Sequence, residues 1–281
     1  MVKIDETLRQ VINEEQGISM ELVAQTYDIY NALISSIKEN TEYLPCDIVG
    51  AKYKVGECVC KNVFGSTIRI EYHYYNFISK EALHNSYKHI PHICRTKNKS
   101  VIQMTVVAVS GAVLKRNTLD DLSHELEHIY QYSKAKRIFV DNDIYEMAIN
   151  IKSRVPKNTY EYCVADAIYI SRGFEQDAYF HSLYISLMNC DLLEDFEEIL
   201  ANSDIYNALR ALKTHLNDIK TIGFLPTLFQ VGKYTYKKLI NDCTTAINNI
   251  QWKMARVYNK AVNDYRGKYI TDEKFSYGKG N

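Results

Sequence analysis

Apolar and polar positions along the chain change period twice, and the changes divide it into three stretches. From Ser19 the apolar residues Leu22, Val23, Tyr27, Ile29, Tyr30, Leu33 and Ile37 recur at helical spacing, which predicts a helix over 19–40 with Ser19 as its N-cap. Pro45 ends that pattern, and the period then falls from about 3.6 to 2. Residues Ile48 to Phe64 are β-rich, with Gly50 and Gly56 as punctuation. Over 67–74, Ile68, Ile70, Tyr72 and Tyr74 alternate with Thr67, Arg69, Glu71 and His73, the signature of a half-buried antiparallel strand. A polar excursion over 79–100 precedes an apolar strand over 101–109, which Ser110-Gly111 closes.

Helical spacing dominates from Thr118 onward. It predicts helices over 118–135, 143–154, 158–188, 191–219 and 234–265, with breaks at Pro156 and at Gly223 and Pro226. A helix and strands followed by a run of helices imply an α+β fold with a mainly antiparallel sheet. The expected organisation is a core over 1–190, a helical subdomain over 191–265 and a loose tail over 266–281.

Within the first helix after the strands stands His124-Glu125-Leu126-Glu127-His128. Positions i and i+4 of a helix lie one above the other, so the two imidazoles project to one side, close enough to share one ion. Neutral imidazole suits Zn²⁺. Glu125 points beside such an ion and suits a proton acceptor for a metal-bound water. Leu119, Leu122, Leu126 and Ile129 form an apolar stripe on the opposite side, while Asp121 shares the histidine side. Asn117 or Thr118 suits the cap, and Asp120 and Asp121 suit the positive end of the helix. The plain alternative is a surface helix with two solvated histidines.

With this motif on a helix that follows a helix and a sheet, the first 135 residues or so resemble the zincin metallopeptidases. That resemblance implies hydrolysis of peptide bonds, Zn²⁺ as cofactor, a peptide or protein as substrate, and a sheet edge that pairs with extended substrate. The edge is expected at 101–109. Ile-Tyr-Gln-Tyr-Ser-Lys follows His128, so the metzincin extension with its third histidine is absent. The gluzincin branch takes its third ligand from a later glutamate followed three residues on by alanine, and Glu175 with Ala178 matches that pattern. Where that branch carries a supporting aspartate, this chain has Tyr179. Asp177 and His181 are rival third ligands, and an ion pair with Arg172 is the structural alternative for Glu175. Tyr179 and His181 are candidate donors to a developing oxyanion. A second functional reading keeps the same ligands as a structural zinc in a non-catalytic scaffold, for example a phage-particle component or part of a toxin-like complex.

The remaining chemistry narrows the setting. His84, His89, His92 and Cys94 match no familiar zinc module and read as a polar loop, and His73 and His215 read as solvated. Seven scattered cysteines argue against a disulfide framework, and Cys58 and Cys60 read as buried thiols on one strand face. Arg95 to Lys99 reads as a solvated loop. The 34 basic and 34 acidic side chains cancel, so no nucleic-acid or anionic-membrane partner is expected. The charged N-terminus lacks a signal-peptide pattern and no apolar run spans a membrane, so the expected location is cytoplasmic, or on a virion. The surplus of Tyr, Asn, Ile and Lys suits an AT-rich bacterial or phage genome, and the oligomeric state is left open.

Overall fold

The structure is a computed structural model that describes residues 18–98, 100–134, 143–230 and 234–276. The N-terminal residues, Lys99 and the ends of the predicted 118–135 helix and of the tail lie outside the described residues.

Helix α1 spans Met20–Glu39, and the Ser19 hydroxyl accepts from the Leu22 amide at 3.3 Å, as the N-cap pattern predicts. Strand β1 (Ala51–Val63) turns through Phe64 and Gly65, both with positive φ, into β2 (Ser66–Phe77). Such a turn matches the twist of a hairpin. The excursion after β2 holds a short helix α2 (Lys80–Ser86), a 3-10 turn (Tyr87–His89) and strand β3 (Cys94–Asn98). Strand β4 (Val101–Val109) then turns through Ser110-Gly111 into the two-residue β5 (Ala112–Val113).

The sheet order is β1-β2-β4-β3, with β5 also on β4. Three pairings are antiparallel, and β2 with β4 is parallel, because the excursion carries the chain across before β4 begins. Strand β4 is therefore internal and not an edge, contrary to the expectation for 101–109; the edge on that side is β3.

The pairing register gathers Cys58 and Cys60 of β1, Ile68, Ile70, Tyr72 and Tyr74 of β2, and Ile102, Met104, Val106 and Ala108 of β4 on one face. All of them are buried, as the strict alternation of β2 predicts. Helix α1 packs on this face at β1, and α3 (Lys115–Lys134) packs at β3 and β4. Lys54 of β1 is buried, and its ammonium donates to the Ile37 and Asn40 carbonyls at the end of α1, which satisfies helix-terminal acceptors.

The helical half is more broken than its periodicity implies. Helices α4 (Asp143–Lys152), α5 (Tyr160–Ile170), α6 (Gly173–Met188), α7 (Phe196–Ala201), α8 (Asp204–Ile222) and α9 (Tyr236–Ser276) follow in order. The predicted 158–188 helix breaks at Ser171-Arg172, where Gln176 donates to the Ile170 carbonyl. The predicted 191–219 helix breaks at Asn202-Ser203, and the Ser203 hydroxyl caps α8 by accepting from the Tyr206 amide. Helix α9 continues through 266–276, where a loose tail is expected. Buried residues of α7, α8 and α9 belong to one cluster with those of the sheet, so the 191–265 helices share the core of the preceding residues. No helix among the described residues is long and apolar enough to cross a membrane.

Gly56 lies inside β1, opposite Tyr72 of β2, and does not interrupt the strand. A Cβ there would overlap the Tyr72 phenol, whose hydroxyl reaches the Ser36 carbonyl of α1 at 3.3 Å. Gly56→Ala is therefore expected to lower stability by about 1–3 kcal/mol. Chemical unfolding checks this, and a variant as stable as the wild type would show that Tyr72 yields without cost.

Candidate metal centre

The stripe Leu119, Leu122, Leu126 and Ile129 is buried throughout, at no more than 2% exposure. Burying it fixes the rotation of α3 and turns His124 and His128 away from the sheet, toward α6. Their Nε2 atoms lie 3.2 Å apart. Helix α6 lies against α3 and brings the Glu175 carboxylate to the same point: Oε2 is 3.7 Å from His124 Nε2 and 3.6 Å from His128 Nε2.

Three atoms bound tetrahedrally at about 2.0–2.2 Å from one ion lie about 3.3–3.6 Å apart. The observed triangle of 3.2, 3.6 and 3.7 Å therefore fits a single small cation with little movement. The donor set of two imidazoles and one carboxylate suits a first-row divalent ion such as Zn²⁺ or Fe²⁺.

Glu175 is 3% exposed. The break at 171–172 puts it in the first turn of α6 rather than inside a longer helix, and a carboxylate is favoured at a helix N-terminus. The Tyr145 hydroxyl of α4 donates to Oε1 at 2.5 Å, and the Tyr169 hydroxyl of α5 donates to Oε2 at 2.7 Å. Burial pushes this carboxyl up, but the interactions with His124 and His128 outweigh it and hold the group below the usual carboxylate range. The same pairing raises the His128 imidazole against the opposing effect of burial. Both phenols are pushed upward by burial and by the adjacent carboxylate, so they stay protonated as donors. Among the described residues Arg172 forms no ion pair with Glu175, and its buried Nε has no hydrogen-bond partner.

Gln131 orients His128 from one turn further along α3. Its amide nitrogen donates to Glu127 Oε1 and to the Phe174 carbonyl, both at 3.1 Å. Its oxygen is thereby aimed at His128 Nδ1, 3.4 Å away. A proton on Nδ1 leaves the Nε2 lone pair facing the centre, the arrangement that outer partners impose on ligating histidines.

Glu125 points to the side, toward β3. Thr96 donates to its Oε2 at 2.6 Å, and the Cys94 thiol lies 3.7 Å from its Oε1. The edge strand thus runs along the helix beside this carboxylate. Cys94 is accordingly part of the site surroundings rather than of a polar histidine loop, while His84 lies on α2 and His89 in the 3-10 turn.

The other candidates separate. The Tyr179 ring lies 4.8 Å from that of His124, so it belongs to the centre. His181 is 1% exposed and faces Thr26 of α1, with its Nε2 3.3 Å from the hydroxyl. Burial lowers its imidazole to about 3. Asp177 pairs with Lys253 of α9 at 2.7 Å. Neither joins the ligand group that forms from His124, His128 and Glu175.

The capping expectation for α3 also changes. The helix begins at Lys115, so Asn117 and Thr118 are already helical and Asp120 and Asp121 sit in the second turn. Burial pushes both aspartates up to about 7, and Asp120 accepts from Ser186 of α6. His73 is bonded to the Tyr53 hydroxyl at 2.7 Å and His215 to Asp166 at 2.9 Å, so neither is a solvated histidine.

Spacing alone contains a signal for Gln131, which lies three residues after His128 and four after Glu127. Nothing in the sequence distinguishes Tyr145 and Tyr169 among 23 tyrosines. No family model, curated protein or solved structure matches this chain.

Tyr145→Phe and Tyr169→Phe should each weaken metal binding about 10–100-fold, as is usual when a partner that orients a ligand is lost. Competition against a chromophoric chelator measures this. Unchanged affinity in both variants would show that the phenols do not orient Glu175.

Proposed function

We propose that this chain is a zinc-dependent hydrolase of the zincin type that cleaves peptide bonds. The observation that carries the reading is the meeting of Glu175 with His124 and His128, while Glu125 on the same helix stands free of that trio and beside a sheet edge. His124, His128 and Glu175 would hold the metal. When bound, Zn²⁺ supplies Lewis acidity at the scissile carbonyl and lowers the pKa of water.

The chain's own groups then have separable tasks. Glu125 takes a proton from the attacking water and passes it to the leaving amine, so the carboxylate ends as it began. Thr96 fixes the orientation of that carboxylate from β3. Tyr179, packed on His124, is the better placed of the two candidate donors to the oxyanion, because His181 is turned toward α1. The outer edge of β3, unpaired among the described residues, offers backbone groups to an extended peptide, which would lie as an added strand next to Glu125.

A structural metal in a non-catalytic scaffold is the second reading. The burial of Glu125, at 6% exposure, and its contacts with Thr96 and Cys94 favour it, because its oxygens are already occupied by β3 side chains rather than open to a water.

Glu125→Gln separates the two readings. The catalytic reading expects this variant to retain zinc and to lose about 10²–10⁴-fold of its hydrolysis of an unfolded protein substrate. Hydrolysis at the wild-type rate would exclude Glu125 as the proton carrier, and the absence of hydrolysis in zinc-loaded wild type would favour the scaffold.

A further inference from the structure

Away from this centre, α5 and α8 bring a second set of ligand atoms together. Cys163 and Asp166 lie three residues apart on α5, and His215 and Asp218 three apart on α8, so each pair shares a helix face. The two helices pack on one another. The Cys163 sulfur, a His215 ring nitrogen and an Asp218 carboxylate oxygen all lie within 4.8 Å of one another. The thiol also sits 3.8 Å from the His215 carbonyl.

His215 is already oriented. Its Nε2 meets Asp166 Oδ2 at 2.9 Å, and the other Asp166 oxygen meets Lys152 at 2.5 Å. A carboxylate on one ring nitrogen is the usual partner of a histidine that ligates through the other. With Nε2 committed, Nδ1 remains for a ligand. Thiolate, imidazole and carboxylate together favour a tetrahedral ion of borderline softness and disfavour Ca²⁺ or Mg²⁺, which take oxygen ligands. Cys163 is buried and Asp218 exposed, so the group has a protein side and a solvent side through which an ion can enter.

We infer that Cys163, His215 and Asp218 form a second binding site for a divalent ion of the Zn²⁺ class, with Asp166 as the positioning residue for His215. The ion would pin α8 to α5, the helix whose Tyr169 bonds Glu175. This site stands independently of the function proposed for the first.

The test is titration of the full-length, metal-free protein with Co²⁺, with Zn²⁺ counted in parallel. Two equivalents are expected, one of which brings near-ultraviolet sulfur-to-cobalt charge-transfer absorption. Cys163→Ser should abolish that band, and Cys94→Ser should leave it. Asp218→Asn, at an exposed position where folding is not at stake, should weaken the same equivalent at least about tenfold. His128→Ala should remove the other equivalent and keep the band. One equivalent with a band that depends on Cys163 would still support this site while counting against the first. The inference is overturned if no sulfur band forms, or if the band survives Cys163→Ser.

Discussion

Glu175 is an ionised side chain in a place almost closed to water, and a charge stays there only with partners in good geometry. Two phenols donate to it and two imidazoles converge on it. Those four groups come from α3, α4 and α5, while Glu175 itself comes from α6. Four helices are therefore committed to one carboxylate. The register of α3 on the sheet, the break between α5 and α6, and the packing of α4 beside them all meet that single requirement. A cation bound jointly by the two imidazoles and the carboxylate would complete the charge balance of this buried group.

Much of this arrangement was legible in the residues. The apolar stripe of α3 sets the direction of His124 and His128 from periodicity alone, and the alternation of Ile68, Ile70, Tyr72 and Tyr74 picks out the buried sheet face. Helix α1 and its Ser19 cap follow from local rules. These features are legible because each depends on neighbours within a few residues.

What was not legible depends on distant partners. A parallel pairing of β2 with β4 results from where the excursion crosses, and it moves the sheet edge from 101–109 to Cys94–Asn98. The break at Ser171-Arg172 lies within apolar spacing that continues on both sides, so periodicity reads through it. His215 looks solvated in the sequence because its partner Asp166 is 49 residues away. Similarly, Thr96 and Glu125 meet only once β3 lies along α3. Interactions of this kind come from tertiary packing, which overrides local pattern.

The proposed chemistry requires one ion position. Anomalous diffraction from zinc-loaded crystals locates it directly. The expected result is a peak about 2.0–2.2 Å from His124 Nε2, His128 Nε2 and a Glu175 oxygen, with the fourth position facing Glu125 and open to solvent. No zinc peak between these three residues, or a fourth protein ligand closing the site, would contradict it.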